Sequence, residues 1–142
     1  MPPIAADTST TQERLATPVS EIMRPGVITI GQHATLLQAK RAMVRHGVHA
    51  VLVSSTDSGL PLGWVSVDGL LAWLERDLTA VPAAQAITEP AHFIEPAASA
   101  RDALELLEKP SVSHLLVRPA AGGAPHGVVA PMDLVELVTR PS

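Results

Sequence analysis

VHAVLVSSTDSGLPLGWVS, residues 48–66, is the stretch that decides the fold, because a stretch of the same plan, VSHLLVRPAAGGAPHGVVA, follows at residues 112–130. Each stretch begins with an apolar run, continues through turn residues and ends on a glycine followed by apolar residues. At one offset of 64 residues, Gly63 meets Gly127 and Pro61 meets Pro125. Paired glycines and a paired proline at turn positions indicate an internal repeat.

The sequence on either side repeats at the same offset, without a gap, from Ile30 to Leu134. Residues 35–46 have the apolar spacing of an amphipathic helix, and Gly47 stands where a helix is expected to end. Strands are predicted at 27–30, 48–53 and 60–66, and a further helix at 70–77. The second copy has predicted strands at 93–94, 113–117 and 127–129 and helices at 99–108 and 132–138. The predicted unit is therefore β-α-β-β-α, present twice.

This repeat predicts how the chain is organised. Residues 1–16 are small and polar and are predicted to form a flexible tail. The first copy is expected at 17–78, the second at 79–139, and a short C-terminal end at 140–142. A copy of this length buries little apolar surface alone. The two copies are therefore predicted to pack around a pseudo-twofold axis as one globular α/β module.

Composition excludes several classes of function. The chain has no cysteine, which excludes disulfides, thiolate zinc sites and a cysteine nucleophile, and a reducing cytoplasm is the expected compartment. A net charge of −4 argues against a nucleic-acid partner, and no apolar run is long enough for a membrane span. The six histidines lack zinc-ligand spacing, and no catalytic motif appears. Neither a metal site nor a catalytic residue is predicted, and the chain is not expected to be an enzyme.

The ordered set of motifs resembles the CBS domain family, whose units come in pairs (Bateman modules). The matching residues run from 18 to 138: VSEIMRP at 19–25, the helix at 35–43, VHAVLV at 48–53 and GWVS at 63–66. In the second copy, GVV at 127–129 and MDLV at 132–135 match the same pattern. The resemblance implies binding of an adenosine-type ligand in the cleft between the copies, and assembly as a homodimer.

In the family's usual turn, a glycine is followed three residues later by Ser or Thr and six residues later by Asp. The carboxylate accepts hydrogen bonds from the ribose hydroxyls, and the hydroxyl donates to phosphate. The first copy keeps Ser66 but has Gly69 in the Asp position, with Asp68 one residue early. The second copy keeps Asp133 but has Ala130 in the hydroxyl position. Each copy therefore retains a different half of the site.

Each candidate ligand-binding residue has a structural alternative. Asp133 is either the ribose-binding carboxylate or a first-turn helix residue, with Val128 beside it. Ser66 either donates to phosphate or caps the helix that follows, and the cap is favoured. Asp68 is a weak substitute for the missing carboxylate. Trp64 either stacks on an adenine ring or fills the cleft, and the second is favoured. The remaining candidates flank or begin the apolar strands: His49, Ala50 and His114.

Two functions follow from the resemblance. The first is a stand-alone regulatory module that senses an adenosine-type ligand, of the AMP, ADP, ATP or S-adenosylmethionine class, and signals to a separate, unidentified target protein. No cofactor is required, and the nucleotide acts as an effector. The alternative is a degenerate pair that serves as a ligand-free platform for dimerisation or docking. An enzyme of unknown chemistry is the weakest hypothesis.

Overall fold

The computed structural model describes residues 4–141, in which pairs of strands are separated by helices. The helices are α1 (Ile4–Leu15), α2 (Leu36–His46), α3 (Val67–Leu70), α4 (Ala100–Leu107) and α5 (Pro131–Thr139). The strands are β1 (Arg24–Pro25), β2 (Thr29–Gly31), β3 (Ala50–Ser54), β4 (Pro61–Ser66), β5 (Glu89–Pro90), β6 (Phe93–Ile94), β7 (Leu115–Val117) and β8 (Gly127–Val129). Short 3-10 helices lie at Val19–Glu21, Leu71–Trp73 and Ala83–Ala86. The predicted α/β class is confirmed.

The chain divides into two compact units. Residues Val27–Ala91 form one, called here the continuous unit. The residues up to Gly26 join those from His92 onward in the other, called the discontinuous unit. The predicted copies, 17–78 and 79–139, describe the repeat in the sequence, and the compact units divide the chain differently. The segment that opens each copy supplies an edge strand to the sheet of the other copy.

The continuous unit is built on a sheet with strand order β2-β3-β4-β5. β2 and β3 are parallel, as expected for strands joined through a helix, and the other pairs are antiparallel. Helix α2 begins as the sequence predicts, because Thr35 and Gln38 form a reciprocal capping box, and it ends at Gly47, whose φ is 63°. The core of the continuous unit contains Leu36, Ala39, Met43, Val51, Val53, Val65, Leu70, Val81, Ala83 and Ala86.

The discontinuous unit repeats this plan with strand order β1-β8-β7-β6. β6 and β7 are parallel, while β7–β8 and β8–β1 are antiparallel. Ser99 and Asp102 form the capping box that begins α4. The core of the discontinuous unit contains Leu15, Val19, Ile94, Ala100, Ala103, Leu115, Val117, Val129, Leu134 and Leu137.

The paired glycines of the repeat lie where the edge strands approach. Gly63 in β4 is opposite Pro90 of β5, and a Cβ atom at Gly63 would lie 2.6 Å from the carbonyl oxygen of Glu89. Gly127 in β8 is opposite Pro25 of β1, and its Cβ would collide with the carbonyl oxygen of Arg24. The repeat therefore keeps glycine at both positions because a backbone passes too close for any side chain.

The predicted flexible tail at residues 1–16 is wrong for most of its length. Residues 1–3 lie outside the described part, but Ile4–Leu15 form α1, which contacts α4 and α5. Leu15 is buried in the core, and the Arg14 guanidinium donates to the carbonyls of Leu137, Val138 and Arg140. Small polar residues gave little sign of this helix, because it is held by contacts with distant residues, among them the bond from Arg101 to Gln12.

Some predicted helices differ in extent. The helix predicted at 70–77 starts earlier, at Val67, and gives way to the 3-10 turn Leu71–Trp73. The helix predicted at 132–138 spans Pro131–Thr139, with proline at its first position. Across residues 4–141, no helix has both the length and the apolar character that a membrane span needs.

Candidate functional site

Asp133 lies in the first turn of α5, directly after β8, and is 7% exposed. Its Oδ2 accepts the backbone N–H of Ala130 at 2.8 Å, and its Oδ1 accepts from Nε of Arg24 at 3.3 Å. The first bond is one half of a capping box, which Ala130 cannot complete because it has no side-chain oxygen. Both carboxylate oxygens are therefore engaged within the protein, and the helix-terminal role of Asp133 is present in the structure.

Arg24 contacts the candidate carboxylate and was not among the residues that the sequence singled out. It belongs to β1, opposite Val128 of β8, and its side chain is 66% exposed although it bonds a buried carboxylate. The signal available in the sequence was the Met-Arg-Pro step at 23–25, where a cation directly precedes a turn proline. That step did not reveal that the cation would face a residue more than a hundred positions away.

His114 lies at one end of this sheet, and Val128 lies in the middle of β8. Val128 is half-buried in β8 and pairs with Leu116 of β7. His114 immediately precedes β7, so the β7–β8 register places it at the end of the sheet from which the chain enters α5. It is half-buried, and its Nδ1 lies 2.9 Å from Oγ of Ser113. Of the predicted residues, Asp133 and His114 thus lie toward the same end of the discontinuous unit, and Val128 lies in the middle of its strand β8.

Ser66 in the continuous unit caps α3. Its Oγ accepts the backbone N–H of Gly69 at 3.0 Å, which satisfies one of the free donors at the start of that helix. In the structure Ser66 is therefore the N-cap of α3, which is the interpretation that the sequence favoured. At Gly69, a Cβ atom would lie 3.3 Å from the Thr88 methyl carbon, so an aspartate there would press against Thr88.

The other candidates of the continuous unit do not assemble a carboxylate site. Asp68 is exposed in the first turn of α3, one residue before the position where the family pattern expects Asp. His49 has an exposed side chain, and its carbonyl accepts the N–H of Val67 at 2.8 Å. Ala50 is half-buried and pairs with Ser66 across β3 and β4.

Trp64 is packed inside the protein. It is 4% exposed and lies in β4, where it pairs with Leu52 on one side and Glu89 on the other. A ring this buried is not presented to an incoming base. The arrangement therefore favours the interpretation in which Trp64 fills space over the one in which it stacks on adenine.

The two units thus differ in what they offer a ligand. The discontinuous unit has a carboxylate, a neighbouring guanidinium and a half-buried imidazole near one end of its sheet, whereas the equivalent turn of the continuous unit has a hydroxyl used as a cap. Among residues 4–141, no group of three or more His, Asp and Glu side chains is placed to hold a metal ion.

Known proteins match this chain over nearly its whole length. The CBS domain profile matches twice, at residues 19–76 and 83–140. The CBS domain of a bacterial CNNM/CorC family Mg2+ transporter has 26% identity and a TM-score of 0.83, covering 100% of this chain and 87% of that one. The same domain in complex with ATP has 27% identity and a TM-score of 0.81, covering 96% and 97%.

A second similarity has lower sequence identity. A CBS domain protein from Pyrobaculum aerophilum, complexed with AMP, has 19% identity and a TM-score of 0.73, covering 87% of this chain and 99% of that one. At this identity the likeness shows the fold alone. No curated protein sequence matches the chain.

Proposed function

The chain belongs to the CBS domain family, and from this premise we propose that it is a regulatory module that senses an adenosine-type ligand and signals to a separate target protein. The ligand class is AMP, ADP, ATP or S-adenosylmethionine. A structurally similar CBS domain with 27% identity forms a complex with ATP, which supports this class. No catalytic step is part of the proposal, and a cytoplasmic location remains an expectation.

The observation that carries the proposal is the position of Asp133. Its carboxylate lies in the first turn of a nine-residue helix that follows a strand directly, which is where the family pattern expects the ribose-binding group. The partner on Oδ1 is Arg24, an exposed side chain held at 3.3 Å. Because the Arg24 side chain is 66% exposed, water can take the place of the carboxylate as its partner, and vicinal ribose hydroxyls can replace Arg24 on that oxygen. The bond from Ala130 to Oδ2 keeps the carboxylate in place during the exchange.

The test is isothermal titration calorimetry with AMP, ADP, ATP and S-adenosylmethionine. Asp133→Asn keeps the shape of the side chain and removes its charge, and it should weaken binding of the preferred ligand about tenfold or more. Glu136→Gln removes an exposed carboxylate from the same helix and should leave binding unchanged. Absence of binding by all four ligands, in protein that unfolds cooperatively, would reject the sensor.

A gain-of-function variant gives a second, independent test. Ala130→Ser supplies the hydroxyl that this copy lacks, at the N-cap of α5. A hydroxyl there donates to phosphate, so the variant should bind AMP more tightly while its affinity for adenosine changes little. An equal change for both ligands would show that phosphate does not approach this helix.

One set of observations favours the alternative, a ligand-free platform. Both oxygens of Asp133 are already bonded, Trp64 is packed, and the continuous unit has no carboxylate at Gly69. A platform needs an association surface. Leu71 and Val135 stand at the same position of the repeat and are 63% and 50% exposed.

Substitution of Leu71 and Val135 tests whether the protein forms the homodimer that the family leads us to expect. Apolar side chains exposed at equivalent places in both copies are typical of association surfaces. Sedimentation analysis of Leu71→Glu and Val135→Glu should show a monomer where the unchanged protein shows a dimer. Lys40→Glu, on the exposed face of α2, is the control for an added negative charge. Dimerisation that survives both substitutions would place the association surface elsewhere.

A further inference from the structure

A pocket opens in the discontinuous unit at the carboxyl end of the parallel strands β6 and β7. Its volume is about 290 Å³, and it is lined by Phe93, Ile94, Glu95, Ala98, Arg118, Pro119 and Ala120. His114 and Asp133 lie toward the opposite end of β7, so this pocket is separate from the candidate nucleotide site. Ligands of α/β proteins commonly bind beyond the carboxyl ends of parallel strands.

The pocket presents one cation and one anion. The Arg118 guanidinium lies 3.8 Å from the centroid of the Phe93 ring, so stacking fixes its plane. The Glu95 carboxylate lines the same pocket and is exposed. In the described part of the chain, no ion pair joins Glu95 to Arg118. The two opposite charges are therefore both available to an occupant.

The equivalent place in the continuous unit is neutral and filled. At the offset of the repeat, Phe93, Glu95 and Arg118 correspond to Thr29, Gly31 and Ser54. The methyl carbon of Thr56 lies 3.1 Å from the point that a Cβ of Gly31 would occupy. The backbone N–H of Thr56 donates to Oε1 of Gln32 at 3.0 Å, which holds the loop over this position. The charged pocket is thus a property of one copy, and the fold itself does not require it.

We propose that this pocket is a second ligand site, and that it binds a small zwitterion of the α-amino acid class. The fork of N–H donors on Arg118 suits a carboxylate, and the Glu95 carboxylate suits an ammonium group. Ile94 and Pro119 supply apolar surface for the carbon skeleton. Drug-sized ligands occupy pockets of about 300–1,000 Å³, so this volume at the lower limit favours a single amino acid over a nucleotide.

The test uses NMR titration of the full chain, labelled with nitrogen-15. The probes are the standard amino acids added singly, with acetate as the anion alone and methylammonium as the cation alone. We expect at least one amino acid to shift the amide resonances of Glu95, Arg118 and Ala120. Acetate and methylammonium at the same concentration should leave these resonances in place. No shift with any amino acid, or an equal shift with acetate, would overturn the proposal.

Two variants identify the charges that bind. Arg118→Gln and Glu95→Gln should each weaken binding of the active amino acid about tenfold or more. The control is Arg76→Gln, which removes an arginine 5.6 Å from the Trp73 ring in the other unit and should leave binding unchanged. Unaltered affinity in both pocket variants would contradict the assignment even if an amino acid binds.

Discussion

Arg24 and Asp133 are 109 positions apart in the sequence, and Nε of the first donates to Oδ1 of the second at 3.3 Å. The relationship is unequal, because the arginine side chain is 66% exposed and the aspartate side chain 6%. Water can replace the aspartate as a partner of Arg24. A buried carboxylate has no such replacement, so the free energy of this corner of the discontinuous unit depends mainly on Asp133.

Removing the carboxylate should therefore be more harmful than removing the guanidinium. Asp133→Ala leaves the Ala130 N–H without its acceptor and should lower the free energy of unfolding by about 1–3 kcal/mol. Arg24→Ala leaves the bond from Ala130 on the carboxylate and should lower it by less than Asp133→Ala does. Urea denaturation of both variants measures the difference. Equal losses would mean that Asp133 acts mainly through Arg24.

The helix cap at Ser66 has a predictable size. Ser66→Ala removes the acceptor for the Gly69 N–H and should reduce the free energy of unfolding by about 1 kcal/mol. Ser66→Asp restores an acceptor at the same position and should recover most of that loss. Thermal unfolding of the pair provides the measurement. A serine-to-alanine change without effect would show that α3 does not need this bond.

Gly127 should tolerate no side chain. Gly127→Ala places a Cβ against the carbonyl oxygen of Arg24 and 2.9 Å from the sulfur of Met23, so β1 has to move away from β8. We expect a loss of about 1–3 kcal/mol in the free energy of unfolding, as for an overpacked site. Gly69→Ala is the matched control, because its Cβ lies 3.3 Å from a side-chain methyl and alanine favours the helix. Comparable losses at the two glycines would contradict the role of close strand approach.

The pKa of Asp77 is lowered from its ordinary value of 3.8, first by the side-chain hydrogen bond from Thr79 and second by the backbone N–H of the same residue. Thr79→Val removes the first bond and keeps the second, so the pKa should rise and still stay below the ordinary value. Thr79→Ser keeps both donors and should leave it low. Carbonyl-detected NMR titration measures the three values.

The same bond fixes the sign of the pH effect. A carboxyl group whose pKa is lowered by folding stabilises the folded state above its unfolded pKa, and this contribution disappears as the pH falls through the folded pKa. The unchanged protein should therefore be more stable than Thr79→Val at neutral pH. The difference should vanish in acid. A difference that persists below the pKa of Asp77 would have to come from packing.

The repeat made much of this fold predictable, because it gave each element two independent signals. Helix α2 starts and ends as Thr35 and Gly47 indicated, and the strands around Gly63 and Gly127 lie where the apolar runs placed them. The edge strands β1 and β5 were missed. With two residues each, they have no periodicity, and their pairing depends on a neighbouring sheet from the other copy.

The candidate site was predictable in its residues and unpredictable in its contacts. The position of Asp133 followed from the spacing after Gly127. Its partner did not, because an ion pair between residues brought together by folding leaves no local pattern. Helix α1 escaped for a similar reason, since Arg14 and Leu15 hold it through contacts with distant parts of the chain.

Because the discontinuous unit is formed by two separate segments of the chain, the two units can fold at different times during synthesis. All four strands of the continuous unit have been synthesised once the chain reaches Pro90, so this unit can fold before translation ends. The sheet of the discontinuous unit pairs β1, which precedes the continuous unit in the chain, with β8, which follows it. Bringing two strands so far apart in the sequence together slows the nucleation of this sheet. Leu15 and Val19 belong to the core of the discontinuous unit, so they stay exposed to solvent, chaperones and proteases until that unit folds. Residues 4–26 are thus synthesised well before β8, the strand with which β1 pairs.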